Sequence, residues 1–138
     1  MKAIITDLDR TLLHTDKSVS EHTIAVLKKC HDHGILIMAA SARPIRDILI
    51  YNNLIGFDAI TATNGAVVSL PQNLLEIGIP CESGEKILSA ILQYPDVFLS
   101  IETSKGLYSN RDIPVWEPVI WDKFPTLPED IILYKILA

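Results

Sequence analysis

The chain has 138 residues, 49% of them apolar and 21% charged, enough for one domain or one and a fraction with a buried core. A formal charge of −5 without any lysine or arginine cluster gives nucleic acid no footprint. No apolar run approaches bilayer length, and Met1-Lys2-Ala3 leads straight into a strand pattern rather than a leader, so a cytoplasmic protein without membrane contact is expected.

Ala3-Ile4-Ile5-Thr6 is rich in β-branched residues and stops at Asp7-Leu8-Asp9-Arg10-Thr11. Such a run reads as a buried parallel strand, and open α/β sheets bind ligands in the crevice beyond the carboxyl ends of their strands. With one residue between them on a tightening turn, the two carboxylates diverge. Asp7 then suits attack on an electrophile or a metal, and Asp9 suits proton transfer, with like charge and burial separating their pKa values. Thr11 is expected to close the loop by hydrogen-bonding back to the backbone. On spacing alone, the other reading makes both acids ordinary turn formers.

Ser18 or Ser20 can cap a helix carrying Ile24, Leu27 and Lys28, which Gly34 closes. The apolar run Ile35-Leu36-Ile37-Met38-Ala39-Ala40 predicts a second buried strand, ending at Ser41-Ala42-Arg43-Pro44. Pro44 fits the first turn of a second helix, with Ile45, Ile48, Leu49 and Leu54 on its apolar face. Residues 57–62 predict a third strand, followed by Thr63-Asn64-Gly65-Ala66. Strand, helix, strand, helix, strand with short loops predicts a parallel, doubly wound sheet with right-handed crossovers. Its three polar strand ends converge on one crevice. Ser41 there offers a hydroxyl and a helix-terminal amide to a phosphate, and Arg43 offers a charged fork to an anion. Taken singly, Ser41 suits a helix cap as well as a phosphate seat, whereas Arg43 reads first as a solvated surface charge and Asn64-Gly65 first as a turn.

Further on, residues 73–79 predict a strand and 82–93 a helix with Ile87, Leu88, Ile91 and Leu92 inside. Residues 96–102 and 106–109 predict strands around Ser104-Lys105-Gly106, and four prolines precede a last apolar strand over 131–137. Cys30 and Cys81 lie outside any paired motif and read as reduced packing residues. Cys30-His31-Asp32-His33 are neighbours on a helix and point apart, so the histidines read as a favourable helix C-terminus rather than a metal site. Trp116, Trp121 and Tyr108 read as packing residues before substrate contacts.

Three segments taken together carry a resemblance. Ile4-Ile5-Thr6-Asp7-Leu8-Asp9-Arg10-Thr11, Met38-Ala39-Ala40-Ser41-Ala42-Arg43-Pro44 and Ala62-Thr63-Asn64-Gly65-Ala66 resemble the first two signature motifs and the Asn-Gly-Ala loop of the haloacid dehalogenase superfamily, in its Cof-type phosphatase branch. The resemblance implies an α/β fold with a Rossmann-like parallel-sheet core over residues 1–70 and part of an α/β cap over 71–138. It implies a magnesium-dependent phosphomonoesterase acting on a small phosphorylated metabolite such as a sugar phosphate. Asp7 is then the nucleophile and a Mg2+ ligand, and Asp9 the proton donor and acceptor whose carbonyl also reaches the metal. Leu8, Ser41, Ala42, Arg43 and Asn64 become phosphate and substrate contacts. Ala42 departs from the branch, which usually has glycine there.

The family's third-motif lysine and fourth-motif acidic pair normally follow the cap, and neither Lys135, Asp122 nor Glu129-Asp130 fits them. The chain is therefore expected to be the amino-terminal part of a longer enzyme. Weak magnesium binding, little turnover and homo-oligomers through unpaired strand edges follow from that expectation. A non-catalytic remnant that binds phosphate or a partner is the reading from another class, and a phosphomutase is a third. A receiver-type phosphoacceptor fits less well, because both acids here share one turn.

Overall fold

A computed structural model describes residues 2–138. They form two compact units, one ending at Glu76 and the other beginning at Ile77.

The first unit runs β1 (Lys2–Thr6), α1 (Glu21–Asp32), β2 (Ile35–Ala40), α2 (Ile45–Ile55), β3 (Ala59–Ala62), β4 (Val67–Leu70) and β5 (Asn73–Glu76). These strands make one sheet in the order β1-β2-β3-β4-β5. The first three are parallel, with Thr6 opposite Ala39 and Ala40 opposite Thr61, so their carboxyl ends line up. The sheet then continues with antiparallel β4 and β5, a hairpin turned at Pro71-Gln72 whose first strand the apolar pattern does not announce.

The winding differs from the doubly wound expectation. Successive right-handed crossovers that step the same way along a sheet lay their helices on the same face. Strand order here follows chain order, and α1 and α2 pack against each other. Their shared face buries Leu27, Ile37 and Ile55, with Ile4, Leu12, Ile24, Ile35 and Phe57 packed around them. Each such aliphatic side chain, fully buried, contributes roughly 1.5–3 kcal/mol. At the free edge, β1 leaves Ile5 68% exposed.

Ser20, not Ser18, caps α1, its hydroxyl accepting the Thr23 amide at 3.0 Å. Ser18 is taken up by Asp16 Oδ1, which accepts both its amide and its hydroxyl. In α2 the inward stripe is Ile48, Tyr51 and Ile55, whereas Leu49 and Leu54 are exposed. The helix is rotated so that a tyrosine, absent from the expected stripe, takes an interior position.

Asp58 ties the end of α1 to the sheet. Its Oδ2 accepts the Ile37 amide at 2.8 Å and its Oδ1 lies 3.2 Å from His31 Nε2. The Ile37 amide first, and His31 after it, hold this carboxyl below the usual carboxylate range. The other histidine of that cluster, His33, places Nδ1 2.7 Å from the Lys29 carbonyl, a C-terminal contact of the kind expected. Cys30 packs beside the core as expected, but Cys81 does not, because it opens an exposed helical turn.

The second unit sets α3 (Cys81–Ile91) beside a sheet of β6 (Ser100–Thr103), β7 (Gly106–Ser109), β8 (Val119–Ile120) and β9 (Leu133–Leu137), ordered β8-β7-β6-β9. Its core is Leu88, Leu99, Ile101, Leu127 and Leu133. Gly84 lets α3 approach β9 closely, since a Cβ there would lie 2.5 Å from Leu133 Cδ2. Trp121 packs edge-on to Tyr108 at 5.9 Å and donates its indole N–H to the Thr126 carbonyl at 2.7 Å, while Trp116 is exposed. Among the described residues no helix is long and apolar enough to cross a membrane.

Candidate active site

The aligned ends of β1, β2 and β3 deliver Asp7, Ser41 and Thr63 to one rim of the first unit. Main-chain hydrogen bonds stitch the last two loops together. The Ser41 amide donates to the Thr61 carbonyl at 2.9 Å, the Thr63 amide to the Arg43 carbonyl at 2.8 Å, and the Asn64 amide to the Ser41 carbonyl at 3.3 Å.

This stitching holds Thr63 and Asn64 in the left-handed region, with φ of 51° and 57°. For a β-branched threonine that conformation costs roughly 1–3 kcal/mol and persists only where the surroundings impose it. Buried Thr63 is the strained support, and exposed Asn64 is the side chain it presents. Arg10 adopts a third such conformation, with φ of 59°, just after Asp9.

Within the first loop, Leu8 is fully buried, so its side chain belongs to the core and only its main chain can face a ligand. Its carbonyl accepts the Leu13 amide at 2.8 Å and the Thr11 amide at 3.3 Å, which closes the turn. The Thr11 hydroxyl does not return to the backbone as expected. It donates to Asp7 Oδ2 at 3.2 Å, because the turn has already brought it beside that carboxylate.

The two acids differ sharply in their surroundings. Exposed Asp7 meets only the neutral Thr11 hydroxyl and no cationic side chain among the described residues. Asp9 is saturated with cations. Arg43 Nε donates to its Oδ2 at 2.8 Å and Arg43 Nη2 to its Oδ1 at 2.7 Å, while Lys17 Nζ donates to the same Oδ1 at 2.6 Å. Arg43 first and Lys17 second hold the Asp9 carboxyl far below the usual carboxylate range, and Asp9 in turn raises Arg43. Cations, rather than repulsion from Asp7, therefore set the charge state of Asp9.

Ser41 is 8% exposed, and its hydroxyl accepts the Arg43 amide at 3.2 Å in a local turn rather than capping α2. The helix starts after Pro44 with no side-chain cap, and exposed Ala42 lies on the same loop. The structure thus brings Asp7, Asp9, Ser41, Arg43 and Asn64 to one rim, with Arg43 forked onto the chain's own Asp9. Lys17 and Tyr51 join them without any motif to announce them. The cue that was available is the turn-forming run Asp16-Lys17-Ser18. No group of three or more His, Cys, Asp or Glu side chains is arranged to hold a metal ion among the described residues.

The chain is similar to known proteins. A family model for haloacid dehalogenase-like hydrolases matches residues 4–132. The phosphatase YitU of Bacillus subtilis, named for 5-amino-6-(5-phospho-D-ribitylamino)uracil, is 35% identical over 71 residues, covering 51% of this chain and 26% of that protein. A Haemophilus influenzae protein that carries the name "putative phosphatase" is 28% identical over 117 residues, covering 82% of this chain and 43% of its own length. The solved structure of BT1666 from Bacteroides thetaiotaomicron, described among phosphatases of the haloalkanoate superfamily, superposes with a TM-score of 0.73 at 28% identity, covering 87% of this chain and 49% of that one. The chain thus spans about half or less of the length of each. With a family model matched along most of its length and a solved neighbour of the same α/β fold, the chain belongs to the haloacid dehalogenase-like hydrolases, in the Cof-type branch.

Proposed function

We propose that the chain carries the nucleophile and proton-transfer residues of a phosphomonoesterase that acts on a small phosphorylated metabolite. The observation that carries this reading is the contrast between its two acids, Asp7 without a cationic side-chain partner among the described residues and Asp9 locked under three charged N–H bonds. A carboxylate without a cation is available to attack phosphorus, and one held ionised is ready to take a proton from water.

In this mechanism an Asp7 oxygen bonds to phosphorus as the ester P–O bond breaks, leaving an aspartyl-phosphate and an alkoxide that a proton from Asp9 neutralises. Water then attacks the same phosphorus, Asp9 takes its proton, and Asp7 departs with inorganic phosphate released. The arrangement found here corresponds to the ionised Asp9 of the second step. The first step needs that carboxyl protonated, so a proton from solvent must first displace Arg43 and Lys17 from it. Ser41 and Asn64 offer polar groups to the phosphoryl oxygens, beside the uncapped start of α2.

The oxygen donors suit magnesium in kind, with the Asp7 carboxylate and the Asp9 carbonyl as the residues that would hold it. When bound, Mg2+ offsets the charge of the phosphoryl group during transfer. Two protein donors fill only part of an octahedral shell, so the ion should bind weakly. A sugar phosphate or a related polyol phosphate is the substrate class, which the name of the Bacillus relative supports. Asp7→Asn tests the assignment. It should abolish turnover of an aryl phosphate while leaving the circular dichroism spectrum unchanged, and turnover at the unaltered rate would refute it.

A further inference from the structure

Asp9, Arg43, Tyr51 and Lys17 close a ring. Arg43 grips the Asp9 carboxylate with two N–H bonds and lies 5.8 Å from the centroid of the Tyr51 ring. The Tyr51 hydroxyl donates to the Lys17 carbonyl at 3.2 Å, and Lys17 Nζ returns to Asp9. Tyr51 is the one member that is buried, at 5% exposure, and it stands on α2, whose inward stripe fixes its position.

Each link has a physical consequence. An arginine within about 6 Å of an aromatic face gains cation–π attraction, and the planar fork then has its orientation set from two sides. Lys17 sits in the left-handed region with φ of 68°, an unfavourable state for a lysine. Its amide donates to the His14 carbonyl at 3.0 Å, and the His14 amide donates to the Ser18 carbonyl at 2.9 Å, which fastens both ends of the turn. The Tyr51 hydroxyl adds a hold on the Lys17 carbonyl itself. Free lysine side chains are mobile, so a 2.6 Å bond from an ammonium on a surface turn needs its backbone held in place.

We propose that Tyr51 is a positioning residue for Asp9, acting through its ring on Arg43 and through its hydroxyl on Lys17. The inference rests on the proton-transfer reading of Asp9 for its catalytic meaning, and on the ring alone for its structural content. The two effects separate by substitution. Tyr51→Phe keeps the ring and removes the hydroxyl, so it should loosen Lys17 and affect Arg43 only by the smaller share that the hydroxyl contributes there. Tyr51→Leu removes both and should loosen both.

The test is nitrogen-15 NMR of the chain, following hydrogen exchange at Arg43 Nε–H and at the Lys17 ammonium, with backbone amides as the measure of fold. In Tyr51→Phe, Lys17 exchange should quicken by about fivefold, the size of one lost neutral hydrogen bond, while Arg43 keeps most of its protection through its fork on Asp9. Unchanged Lys17 exchange in that variant would overturn the proposal, because a tyrosine that merely fills space has no use for its hydroxyl. Arg43 losing more protection than Lys17 in Tyr51→Phe would overturn it equally. Because Tyr51→Phe keeps the packing, failure of Tyr51→Leu to fold does not remove the test. Aryl-phosphate turnover with magnesium is measured alongside. If Asp9→Asn loses alkyl- and nitrophenyl-phosphate turnover equally, the reading of Asp9 as the proton-transfer residue fails, while the exchange rates still decide the ring.

Discussion

Arg43 and Asp9 lie 34 positions apart in the chain and meet through two parallel hydrogen bonds of 2.8 and 2.7 Å. A lysine at position 43 could supply the charge but not the fork, because an ammonium is a point donor. Arg43→Lys should therefore lower kcat/KM for an aryl phosphate by roughly tenfold, the worth of one charge-assisted bond. Unchanged kinetics would show that the fork serves the fold and not the reaction.

Proton donation by Asp9 matters in proportion to how poor the leaving group is. Asp9→Asn should nearly abolish turnover of an alkyl phosphate but spare part of the turnover of a nitrophenyl phosphate, whose leaving oxygen needs little protonation. Steady-state rates on the two esters decide this, and equal losses would count against Asp9 as the acid.

Acid sensitivity of the fold should trace in part to Asp58. Its folded pKa is lowered, so its stabilisation is complete above the unfolded value of about 3.9 and is lost as pH falls through the folded value. Asp58→Asn should cost about 1 kcal/mol at neutral pH, measured by denaturant unfolding, and the gap from the unaltered chain should close toward pH 3. A gap that stays constant with pH would assign the effect to packing.

Among the described residues β1 is an edge strand of its sheet and carries exposed Ile5, the combination that lets strands of separate molecules pair. Sedimentation velocity should show self-association of the chain, reduced in Ile5→Lys because a charge on an edge strand opposes pairing. Identical profiles for the two would mean that this edge is not used.

Much of the rim was legible from sequence because a parallel strand announces itself as an apolar run, and its end as the first polar residues after it. Asp7, Ser41 and Asn64 follow that rule, and the register aligns their strands. What the apolar patterns did not reveal depends on backbone geometry and on contacts across the fold. Lys17 reaches Asp9 from a left-handed turn that no periodicity marks, and Tyr51 reaches Lys17 only because the buried stripe of α2 runs through 48, 51 and 55 rather than through 49 and 54. The fork of Arg43 was foreseen, but its target was not, since a surface arginine gives no sign of which anion it will find. The single face shared by α1 and α2 depends on strand order, which short loops alone leave open.

The central claim is that Asp7 becomes phosphorylated. The direct measurement is to mix the chain with an aryl phosphate and Mg2+, quench with borohydride, and map the peptides by mass spectrometry. An aspartyl-phosphate is reduced to homoserine, so homoserine at position 7, and none in Asp7→Asn, is the predicted result. Homoserine at position 9, or an unmodified Asp7 while phosphate is released, would contradict it.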